Sequence, residues 1–99
     1  MTLDHWLAAH TAEAPPTLRD RVTAHAAAVT EGATHAEQLA LAAERVLSIV
    51  EEHPGDRAIA LDLLAADALI TLALLAVSES APDQLGAFTE GLLAAERIA

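Results

Sequence analysis

The chain of 99 residues has no cysteine, no lysine and no tyrosine, and only one tryptophan, Trp6, and one phenylalanine, Phe88. Without cysteine there is no disulfide framework, no thiolate metal site and no thiol nucleophile, and the redox compartment is left open. Without lysine, five arginines face fifteen acidic residues, and the net charge of −10 repels both the phosphate backbone of nucleic acids and anionic membrane surfaces. The scarcity of aromatics removes the stacking platforms used for single-stranded nucleic acid. Nucleic acid and membrane are therefore not expected as partners. The first ten residues carry Asp4, His5 and His10 but no basic start followed by an apolar centre, so they do not read as a secretory leader, and a cytoplasmic location is expected.

What is present is apolar and helix-forming. Of the residues 54 % are hydrophobic and 25 are alanine, the strongest helix former. Turn and cap signals divide the chain into five helical stretches. Thr2 caps a first short helix, Leu3 to about Glu13, ended by Ala14, Pro15 and Pro16. Thr17 with Asp20 three residues on opens a second, running to about Glu31 and stopping at Gly32. Thr34 and Glu37 form a capping box for a third, His35 to about Glu52. After the turn His53, Pro54, Gly55, Asp56 caps a long fourth helix over residues 57–80, and Ser80 with Asp83 opens a fifth that reaches about Ile98. No period-two run bounded by hairpin turns occurs, so no strand is expected.

The fourth stretch is apolar on every side and calls for cover by other helices or by lipid. Its length suits a bilayer. Ten Leu, Ile or Val residues between Ala58 and Val77 favour insertion by about 3 to 6 kcal/mol, but Asp62 and Asp67 oppose it by about 5 to 7 kcal/mol. The expectation is an all-α, single domain over residues 1–99: a four-helix-type antiparallel bundle with a short extra N-terminal helix and a long central apolar helix, residues 57–80. Trp6 would lie over the core, and Gly86 and Gly91 would let the last helix approach closely.

Asp62 falls on a face with Ile59, Ala66, Leu69, Ala73 and Val77, where an ionised carboxylate needs a donor. His25, between Val22 and Val29, is the preferred partner because its helix is long enough to lie beside the central one. His10, next to Trp6 and Leu7, is the other. Such a pair either fixes helix register or lines a pocket as a base with its orienting partner. Asp62, His25 and His10 are thus the catalytic candidates, and Asp62, Asp67, Trp6 and His25 the ligand-binding ones. Asp67 forms a polar seam with Thr71 and Ser78 that solvation alone would explain.

No metal or cofactor is expected, since no Glu-x-x-His pair of the bundle di-metal type occurs. Nor does a Gly-x-Ser-x-Gly elbow or a phosphate loop. Leu41 and Leu93 lie off the core stripes, and surplus apolar surface usually marks an interface. The expected activity is binding, through homodimerisation or to a partner protein helix. The alternative is a small-molecule binder or small enzyme whose apolar inter-helix pocket takes a small apolar or cationic ligand beside Asp62.

Overall fold

The computed structural model describes residues 1–98, with side chains through Ala95. Five α-helices follow one another: α1 (Leu3–His10), α2 (Pro16–Ala27), α3 (His35–Glu52), α4 (Arg57–Ser80) and α5 (Leu85–Ile98). A single 3-10 turn, Pro82–Gln84, precedes α5, and no strand occurs among the described residues. The fold is all-α.

α3 and α4 begin where their caps require. Thr34 Oγ1 accepts the Glu37 amide at 3.1 Å while Glu37 Oε2 accepts the Ala33 amide at 2.9 Å, a reciprocal capping box. Asp56 Oδ1 accepts the Ala58 amide at 2.9 Å. The four-residue turn between the two helices holds Gly55 at φ +86°, and so short a link makes the two helices antiparallel neighbours. The start of α3, at Ala36 and Glu37, accordingly borders the end of α4, at Val77 and Ser80. This hairpin is the spine. α1 and α2 pack along one flank of it, and α5 covers the other, where Phe88 and Leu92 face Ala40 and Leu41.

The core between these layers is fully buried at Leu7 of α1, Val22 of α2, Leu39 and Val46 of α3, and Leu69 of α4. Ala26, Ala42, Ala43, Ala65, Ala66 and Ala73 fill the spaces between them, and such small side chains let helix backbones come close. Phe88, Leu85 and Leu92 of α5 are only partly buried against this cluster.

The other helix ends depart from the sequence expectation for local reasons. α1 stops at His10 rather than near Glu13: Thr11 leaves helical dihedrals (φ −116°, ψ 12°), its carbonyl accepts the Ala14 amide at 3.0 Å in a turn, and its hydroxyl competes for the Leu7 carbonyl at 2.7 Å. α2 starts at Pro16, whose fixed φ suits a first helical position, so Thr17 caps nothing. It ends at Ala27, short of Glu31, where Arg45 Nη1 donates to the Ala28 carbonyl at 3.3 Å and satisfies a helix-end acceptor from outside. Ser80 is the last residue of α4 and not the cap of α5: its hydroxyl donates to the Ala76 carbonyl at 2.8 Å, and α5 starts only at Leu85.

Two expectations about packing are corrected. α4 is not surrounded. A third of its apolar window is buried, whereas Leu63 is 51 % and Leu64 57 % exposed. The reason is placement: α2 packs on the opposite side of α4, at Asp62, and α5 lies at the far end of the hairpin, against the start of α3 and the end of α4. Gly86 and Gly91 do not serve close approach either, since a Cβ built at each meets nothing within 4 Å. Each glycine then only weakens α5, and Gly86→Ala and Gly91→Ala are each expected to stabilise the protein by roughly 0.5 to 1 kcal/mol in urea unfolding. A loss of stability at either position would show that its open side is occupied.

Candidate functional site

Three groups of side chains stand out. The first is built on Asp62, which α4 presents towards α2 and which is 7 % exposed. His25 Nε2 donates to Asp62 Oδ1 at 2.9 Å, the partner expected from the sequence. Arg21, one turn earlier on the same face of α2, brings Nη1 to 3.5 Å from the same oxygen. Reasoning from sequence did not single out Arg21. The signal was present in its i, i+4 spacing from His25. A carboxylate accepts only, so the His25 proton that faces it sits on Nε2. The cluster ties α2 to the first third of α4, where otherwise only apolar contacts would set their register.

The second group joins α1 to the far end of α4. Trp6, 7 % exposed, donates its indole N–H to Glu79 Oε1 at 3.1 Å. His10 stacks on the Trp6 ring with centroids 4.0 Å apart, places Nδ1 2.8 Å from the Trp6 carbonyl and turns Nε2 to within 3.3 Å of Glu79 Oε2. The carbonyl can only accept, so Nδ1 carries a proton. Neutral His10 then aims a lone pair at the Glu79 carboxylate, whereas protonated His10 donates to both partners. The hydrogen bond to the Trp6 carbonyl, opposed by desolvation and aided by Glu79, accordingly raises the His10 pKa above its ordinary value of 6.5.

His10 is therefore not an alternative partner of Asp62. Glu79 lies seventeen residues beyond Asp62, about 25 Å along the helix. The candidates fall apart in space: Asp62 and His25 form one cluster, His10 and Trp6 another, and Asp67 belongs to neither. Asp67 is exposed on the outer side of α4 together with Thr71 and Ser78. Those two hydroxyls donate to the Asp67 and Leu75 carbonyls of their own helix, at 3.0 and 2.8 Å. The polar seam is thus a solvent-facing line.

The third feature is apolar. Beside that seam Leu47 of α3 and Ala60, Leu63, Leu64 and Ile70 of α4 line an open groove of about 520 Å³, with Asp67 as its one charged residue. Smaller grooves of about 350, 380 and 410 Å³ lie at the α3–α5 border and beside Trp6. Neither Asp62 nor His25 lines any of these four. Leu41 borders the α3–α5 groove and Leu93 is 50 % exposed. Among the described residues no three His, Asp or Glu side chains converge as a metal site.

Comparison with protein-family models, curated proteins and solved structures finds no match for this chain.

Proposed function

We propose that this protein works by association, offering the uncovered face of α4 to another apolar helix. The observation that carries the reading is the run of exposed leucines, Leu63 at 51 %, Leu64 at 57 % and Leu75 at 38 %, on one helix of a strongly acidic chain. Scattered surface leucines need no explanation, but exposed leucines along one helix, two of them lining an apolar groove, are what docking surfaces are made of. Catalysis at Asp62 has less support, because its carboxylate is shared between His25 and Arg21 inside a helix contact and none of the grooves above reaches it.

The test compares the wild type with Leu64→Glu/Leu75→Glu in two assays: self-association, and binding of a synthetic Leu-rich amphipathic helical peptide. Both substitutions sit on exposed positions, so helicity by circular dichroism should be unchanged. The wild type is expected to engage at least one of the two and the variant neither. A wild type inert in both assays, or a variant that behaves like it, overturns the reading.

A further inference from the structure

The exposed line of α4 consists of Ala60, Leu64, Asp67, Thr71, Leu75 and Ser78, all open to solvent. Their spacings of three and four residues keep them within one narrow sector of the helix, over about 27 Å. Read from either end, the line has the same chemistry: small, leucine, polar, polar, leucine, small. Its midpoint falls near Leu69. An antiparallel copy of the same helix, related by a two-fold axis at that midpoint, would set Ala60 against Ser78′, Leu64 against Leu75′ and Asp67 against Thr71′, where the prime marks the second copy.

We infer that the occupant of this face is a second copy of the chain, docked α4 against α4 in antiparallel register. The inference rests on the association reading above and names its partner. A two-fold interface must be self-complementary, and this line is. The three-four spacing is that of helices packed at a shallow crossing angle, with small residues at both ends to let the backbones approach.

The scarcity of charge on this face disfavours a basic occupant. From Ala58 to Ser78 the only charged side chains are Asp62, buried against α2, and Asp67. A basic helix would find one carboxylate to pair with, and a second copy brings a strip that carries the same single charge, Asp67. The two Asp67 carboxylates lie on opposite sides of the axis, each beside Thr71′, whose hydroxyl would turn from the carbonyl it holds in its own helix to donate to the carboxylate. Repulsion between two chains of net charge −10 is screened beyond about 8 Å at physiological ionic strength.

Area sets the strength. Two such strips, about 27 Å long and 10 Å wide, cover a few hundred Å² per chain, below the roughly 800 Å² per partner of a standard stable interface. The groove at Leu47 and Ile70 adds to this. The dimer is therefore concentration-dependent rather than obligate.

The absence of native cysteine makes the register directly readable. Chains carrying Leu64→Cys and chains carrying Leu75→Cys, mixed and oxidised, are expected to couple to each other. Each alone should couple several-fold less, because 64 to 64′ and 75 to 75′ are separated by more than the roughly 7 Å that a disulfide spans. Sedimentation of the unmodified wild type should show mass rising towards the dimer with concentration, and Leu64→Glu should abolish the rise. Coupling of Leu64→Cys chains to themselves at the mixed-pair level would overturn the antiparallel register while leaving association intact. A wild type that stays monomeric yet binds the Leu-rich peptide, or that partitions onto phosphatidylcholine vesicles, would overturn the second copy as occupant. In the peptide case the association reading would survive; in the vesicle case the face would belong to lipid.

Discussion

His25→Leu is expected to destabilise the protein by about 2 to 3 kcal/mol, and Asp62→Leu by clearly less, about 1 kcal/mol. The asymmetry follows from which charge is left behind. Removing His25 strands the Asp62 carboxylate, whose side chain is 10 % exposed, with only Arg21 at 3.5 Å to offset its lost hydration. Breaking a buried pair in this way ordinarily costs about 3 to 5 kcal/mol, and the remaining guanidinium lowers that figure. Removing Asp62 instead strands groups that can reach water. Arg21 is 38 % and His25 19 % exposed, while a leucine at 62 joins the apolar face of Ala66, Leu69 and Ala73. Asp62→Leu/His25→Leu is expected to lie within about 1 kcal/mol of wild type, because it replaces a buried hydrogen-bonded pair by apolar packing. Urea unfolding of the four proteins closes the cycle, and a coupling energy near zero would mean that the two side chains act independently. Set against a typical domain stability of roughly 5 to 15 kcal/mol, the single changes are measurable without unfolding the chain.

The Asp62 pair was legible in the sequence because it is a problem of local chemistry with few solutions. A carboxylate on an otherwise apolar helical face requires a donor, and His25 was the polar residue on the facing stripe of a helix long enough to reach it. The ends of α3 and α4 were legible for the same kind of reason: Thr34, Glu37 and Asp56 act within a turn of their own position. The ends of α1 and α2 were not, since Thr11 and Arg45 bind carbonyls that offer no sequence signature. Glu79 was hidden because it lies near the end of α4, where a glutamate reads as solvated. Its role appears only once α1 folds back across the hairpin to bring Trp6 and His10 to it. Cover of α4 was overestimated because periodicity shows which faces are apolar, not against which of them a neighbouring helix packs. Leu63, Leu64 and Leu75 are the residues on which that difference falls.

The contact between α1 and α4 is expected to tighten as pH falls through the His10 titration, with a midpoint above 6.5. The folded pKa of His10 is raised, so its contribution is fully present below the unfolded value of about 6.5 and is lost as pH rises through the folded value. Above that point the Nε2 lone pair faces the Glu79 carboxylate, and α1 keeps only the Trp6 indole bond and its apolar contacts. Trp6 is the sole tryptophan and stacks on His10, so its fluorescence reports this ionisation without a label. The groups close enough to interfere are Glu79 on α4 and His35 on α3, whose ring lies 6.3 Å from that of Trp6. Glu79→Gln should lower the midpoint, His10→Gln should abolish the transition between pH 5 and 8, and His35→Gln should leave it in place. A transition that survives His10→Gln and disappears with His35→Gln would assign the proton to the other histidine. A flat titration in the wild type would mean that α1 is held by Trp6 and Leu7 alone, with the side chain of His10 idle beside them.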